Sequence, residues 1–187
     1  MTVAIERIAQ VSTEGGPLLI GDRELARSWH GVFGDGADYR RACEALEPEA
    51  VRGVQIEVGG MATIVWDIPT GTAEVWRRAT NSLILSRPWF DEDADIDRVG
   101  YRLATLPAQT VVRLGSFELK SGWLLIVWAA EDGAALINVE PADGRTLDLS
   151  VGDAAVIASL PAGQYACYRD EVSEGLSRTE RCLIVAE

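Results

Sequence analysis

The sequence predicts a mostly β, α+β protein made of two fused, diverged copies of one β-rich unit. Short helices are inserted in the first copy. Two observations predict this. Apolar segments are short, frequent and bounded by Gly or Pro, which favours antiparallel sheets over a doubly wound fold. The order of segments also repeats. Gly16 and Leu18-Leu19-Ile20 match Gly122 and Leu124-Leu125-Ile126, and Val58-Gly59 matches Val151-Gly152. Ala62 and Ile64 match Ala155 and Ile157. After a one-residue slip, Pro69, Gly71, Trp76 and Arg77 match Pro161, Gly163, Tyr168 and Arg169, and Leu83-Ile84-Leu85 matches Leu183-Ile184-Val185. This divides the chain into a first copy over 1–90, an acidic junction over 91–110 and a second copy over 111–187, packed as one globular protein.

In chain order, Val3 to Val11 reads as a first strand and Gly15-Gly16-Pro17 as a turn. Leu18 to Ile20 follows as a buried strand. Asp22 is placed to cap a short helix reaching Trp29 or His30, with Leu25 and Trp29 one turn apart on its apolar face. Phe33 to Ala37 is a loop. Asp38 is read as the cap of a second helix, in which Tyr39, Ala42, Cys43 and Leu46 form one stripe and Pro48 stops the run. Strands are expected within Val54–Ile64, at Ala73–Trp76 and at Leu83–Leu85, and a short helix from Asp97 to Leu106 before Pro107. The second copy supplies strands at Val111–Leu119, Trp123–Trp128, Ala135–Val139, Leu147–Leu149, Ala154–Leu160, Tyr165–Arg169 and Arg181–Ala186.

Composition narrows the function. The 187 residues carry a net charge of -12, which disfavours nucleic acid and anionic membranes and suits a basic partner or plain solubility. At 48% hydrophobic residues the chain has material for a core, yet no apolar run is long enough to span a bilayer. Glu6 and Arg7 interrupt the first apolar stretch, so it does not read as a signal peptide. Three cysteines at irregular spacing fit a reducing cytoplasm.

Catalytic and metal chemistry find little support. His30 is the single histidine, and no Cys-x-x-Cys pair is present. Asp91, Asp93, Asp95 and Asp97 have the alternation of a calcium loop, but its glycine and glutamate positions hold Ile96 and Arg102. No cofactor or metal is therefore expected. The run Asp91-Glu92-Asp93-Ala94-Asp95-Ile96-Asp97 reads instead as a solvated junction or a partner-facing patch, with Trp89 beside it as an interface anchor.

Several linked motifs carry a family likeness: Gly15-Gly16-Pro17-Leu18-Leu19-Ile20, Trp29-x-Gly31 and Asp38-Tyr39-Arg40-Arg41-Ala42-Cys43. Gly53-Val54, Val58-Gly59-Gly60 and Trp66-Asp67-Ile68-Pro69-Thr70 extend it. On these the chain resembles the immunity protein 21 family of bacterial polymorphic toxin systems. The likeness runs through residue 90 and continues more loosely through Leu124–Trp128 and Pro161–Tyr168. Arg40 departs from the pattern, where the residue after the tyrosine is often acidic. The resemblance implies a small cytoplasmic protein, not an enzyme, that binds a cognate toxin and blocks it. It implies no catalytic residues; Gly15, Gly16, Pro17, Trp29, Asp38, Tyr39 and Cys43 read as fold-makers. A second reading, drawn from the strand-rich walls and interior tryptophans, is a small-ligand-binding or regulatory β domain.

Overall fold

The computed structural model describes residues 5–47, 52–68, 71–90, 95–107, 111–137, 139, 149–150 and 154–187. The described strands are β1 (Glu6–Thr13), β2 (Leu18–Asp22), β3 (Gly53–Val58), β4 (Met61–Trp66), β5 (Gly71–Ala79), β6 (Ser82–Trp89), β7 (Val112–Leu119), β8 (Trp123–Trp128), β9 (Leu149–Ser150), β10 (Ala155–Ser159), β11 (Gly163–Glu174) and β12 (Ser177–Ala186). The helices are α1 (Ala37–Leu46), α2 (Ile96–Thr105) and α3 (Ala134–Ile137), with a 3₁₀ turn at Arg23–Ser28. The protein is thus mostly β, with two antiparallel sheets and few helices.

The first sheet has the order β1-β5-β6-β12-β11-β7 and the second β3-β4-β2-β8-β10-β9. Each draws three strands from each half of the chain. When β1 to β6 are set against β7 to β12 in turn, both orders read the same from either end. The halves meet along β6 and β12 in one sheet and along β2 and β8 in the other. There Ile84 pairs with Leu183, and Ile20 with Ile126. Alternation along each strand then decides what faces the interior. Leu18, Ile20, Ile64, Trp66, Val75, Leu83, Leu85, Phe117, Ile126, Val156, Cys167, Cys182 and Ile184 form one buried cluster between the sheets. Phe117 and Tyr165 stack within it at 5.9 Å.

The sheets correct the residue matching of the two halves. Ile64 and Val156 both face the inter-sheet core, whereas Val65 and Ile157 both face outward. Ile64 therefore corresponds to Val156 and not Ile157. By the same test Leu83 and Leu85 correspond to Cys182 and Ile184. A one-residue offset on a strand moves every side chain to the other face, so burial fixes the register where residue likeness cannot. The matches made at Pro69, Val151 and Gly152 lie outside the described residues.

The outer faces are covered separately. Leu19, Val65, Leu125, Val127, Ala155 and Ile157 of the second sheet pack with Leu25, Ala26, Trp29, Ala42 and Leu136 from the 3₁₀ turn, α1 and α3. Asp22 caps the 3₁₀ turn as expected, accepting from Glu24 N at 2.8 Å. Its other oxygen accepts from Lys120 N and Ser121 N at 2.6 and 2.8 Å, so this buried carboxylate also fixes the β7–β8 turn. The expected strand at Ala135–Val139 is α3 over Ala134–Ile137; an apolar run this short carries no periodicity to separate helix from strand. Asp38 is not the cap of α1. Gly36 occupies that position, and Asp38 lies in the first turn. Tyr39, Cys43 and Leu46 are half-buried, and Ala42 is the fully covered residue of the stripe.

α2 crosses the outer face of the first sheet. Asp95 caps its start by accepting from Arg98 N at 3.2 Å. Its end is held by Arg181, whose Nη1 donates to the carbonyls of Leu103, Ala104 and Leu106 at 3.1, 3.2 and 2.7 Å. The same guanidinium grips Asp170, its direct cross-strand partner, through Nε at 2.8 Å and through Nη2. Both side chains are almost wholly buried. Removing one member of such a pair strands the other charge in the interior. Arg181→Ala should therefore cost about 3–5 kcal/mol in urea unfolding, and Arg181→Met with Asp170→Leu distinctly less. Equal losses for the two variants would contradict this reading of the pair.

The cysteines are free, and Cys167 and Cys182 are buried. Burial first, and then the neighbouring Cys182, pushes the Cys167 thiol well up. The folded state thus holds this thiol protonated. Its contribution is fully present below the ordinary thiol range near ~8.5 and is lost as pH rises above it. In native protein a disulfide reagent should modify half-buried Cys43 first and reach Cys167 only at the rate of unfolding. Rapid labelling of Cys167 at pH 8 would contradict its packing.

Candidate partner-binding surface

The most distinctive surface is the segment between the 3₁₀ turn and α1, where the backbone is locked from several sides. Trp29 is buried and donates from Nε1 to Ala129 O at 3.0 Å. Trp29 O accepts from Gly133 N, and Val32 N donates to Ala130 O, both at 3.0 Å. Gly31 sits between these bonds at φ 58°, and a Cβ there would lie 2.3 Å from the carbonyl oxygens of both Ala130 and Glu131. Only glycine fits that position.

Three aspartates complete the frame. Asp38 Oδ2 accepts from His30 N at 2.8 Å, Asp35 Oδ1 from Ala37 N at 3.0 Å, and Asp132 Oδ1 from Ala134 N at 3.0 Å. His30 Nδ1 stands 3.6 Å from Asp132 Oδ1. Arg41 lies over the Trp29 ring at 5.6 Å and 3.4 Å from Asp38. This frame raises two apolar side chains into solvent: Val32 is 49% exposed and Phe33 56%. Beside Phe33 lies an open hollow of about 440 Å³ lined by His30, Asp35, Asp38 and Asp132. A rigid aromatic with an acidic border has the make-up of an interface anchor, because it loses little freedom on docking.

Of the residues singled out from sequence, Trp89, Asp95 and Asp97 lie elsewhere. Trp89 is half-buried, its ring 4.6 Å from the Arg87 guanidinium and 5.0 Å from that of Arg178. Asp95 is engaged as the cap of α2. Asp97 is exposed, 3.7 Å from Arg7 Nη1, and Arg7 also bonds Glu74 at 3.0 Å. Asp91, Glu92 and Asp93 lie outside the described residues. Among the described residues, no group of three His, Cys, Asp or Glu side chains could hold a metal ion, and no helix is long and apolar enough to cross a membrane. The sequence pattern marks Phe33–Ala37 only as a loop and does not mark Val32, Phe33 and Asp132 as a surface. The available signal was an aromatic within a Gly- and Asp-rich turn, where a core side chain is out of place.

No family model, curated protein or solved structure matches the chain.

Proposed function

We propose that the protein is a non-enzymatic immunity protein, acting in the bacterial cytoplasm, that neutralises a cognate polymorphic toxin by occluding its active site. The observation that carries this reading is the Val32–Phe33 pair, half-exposed on a locked turn with Asp35, Asp38 and Asp132 around it. The net charge of -12 favours a basic partner and speeds its approach, while the aromatic anchor holds it. We further propose that the chain arose as two fused, diverged copies; the matching strand orders of its halves support this. α2 and the Phe33 turn cover opposite outer faces of the sandwich, so one docking face does not contain both. Asp95 and Asp97 then belong to the protein's overall negative field and not to the contact.

The partner to try first is the product of the neighbouring upstream reading frame. It should bind tightly by calorimetry and lose its activity on binding. Phe33→Ala should weaken the complex about 30-fold or more, as loss of a central anchor does, chiefly through faster dissociation. Asp35→Asn with Asp132→Asn keeps the backbone caps and should slow association at low salt. An upstream product that neither binds nor is inhibited, or a dissociation constant unmoved by Phe33→Ala, would overturn the proposal.

A further inference from the structure

Among the described residues, α2 is the one helix packed on the outer face of the first sheet. α2 is anchored at its start near Arg7 and Glu74 and at its end by Arg181. Among the described residues, the face beyond its last turn is left open. Between its last turn and the ends of β1 and β5 lies a hollow of about 410 Å³, within the usual range for small-molecule sites. Its floor is Ile84 and Leu183, the central pair of the sheet. Ile5, Tyr101 and Leu106 form its walls.

Two arginines reach this hollow, and they differ. The Arg181 donors are spent on Asp170 and the carbonyls of α2. Arg78 is exposed and makes no hydrogen bond or ion pair among the described residues. In a protein of net charge -12, an unengaged guanidinium over an apolar hollow is a specific feature. An arginine fork matches a carboxylate in shape and charge, and the apolar lining suits a hydrocarbon body.

We propose that this hollow binds a small carboxylic acid with an apolar acyl or aromatic body, the carboxylate on Arg78 and the body against Ile84, Leu183 and Leu106. The inference is independent of the toxin-inhibitor reading. Trp76 is buried under Tyr101, their rings 6.1 Å apart and edge to face, and so reports on the site by its fluorescence.

The test is titration of the whole protein with decanoate. Saturable binding should appear in the tryptophan signal, and the methyl resonances of Ile5, Ile84, Leu106 and Leu183 should shift together. Arg78→Ala should weaken decanoate about tenfold or more, Arg78→Lys less, and decanol should bind weakly with no dependence on Arg78. Vesicles of phosphatidylglycerol, which offer acyl chains without a free carboxylate, should not compete. Absence of saturable binding, methyl shifts elsewhere, equal affinity for decanol, competition by the vesicles, or indifference to Arg78→Ala would each overturn the proposal.

Discussion

Two strand pairings hold this molecule together, β2 with β8 and β6 with β12. Each joins one half of the chain to the other at the centre of a six-stranded sheet. At those seams Ile20 lies opposite Ile126 and Ile84 opposite Leu183. Neither half can close a sheet alone without exposing a central strand edge, which is costly and prone to wrong pairing. The packing between sheets ties them further. β7 lies over β2, β3 and β4 of the first half, and β1 lies over β8, β9 and β10 of the second. The buried cluster between the sheets is accordingly drawn from both halves and is one core.

The two proposed sites occur where the halves differ. Between β2 and β3 the chain inserts the 3₁₀ turn, the Phe33 turn and α1, while among the described residues the stretch after β8 holds the four-residue α3. The insertion is fastened to that counterpart through Trp29, Gly31, Val32 and their bonds to Ala129, Ala130 and Gly133. The scaffold is thereby rigid where it presents Phe33. On the opposite face α2 links β6 to β7 and borders the hollow at Arg78. Each nitrogen of the Arg181 guanidinium has a partner, whereas Phe33 is exposed on its locked turn and the Arg78 side chain is unengaged among the described residues.

Much of this architecture was legible in the residues. Leu18–Ile20, Trp123–Trp128 and Ala155–Ser159 are continuous apolar runs because both faces of the second sheet are covered, and such runs announce central strands. The hairpin tip was not legible. Residues 170–180 are mostly polar, since Asp170 and Arg181 satisfy each other on the outer face and Glu171, Ser173 and Glu174 lie beyond the core. Nothing local marks them as strand; the pairing of β11 with β12 does. The outward pose of Phe33 was hidden for a related reason. A sequence pattern shows what can be buried, and only the bonds from Ala130 and Asp38 fix what is held out. Sequence proximity sets Trp89 beside the acidic run, and the sheet register adds Arg87 and Arg178 against its ring.

The account depends most on the claim that the two halves share both sheets and form one cooperative unit. Native-state hydrogen exchange measures this directly, because each amide reports the free energy of the opening that exposes it. The slowest amides of β2 and β6 should share one opening free energy with those of β8 and β12, equal to the global unfolding value. Two distinct plateaus, one for strands before residue 90 and another for strands after residue 111, would contradict it.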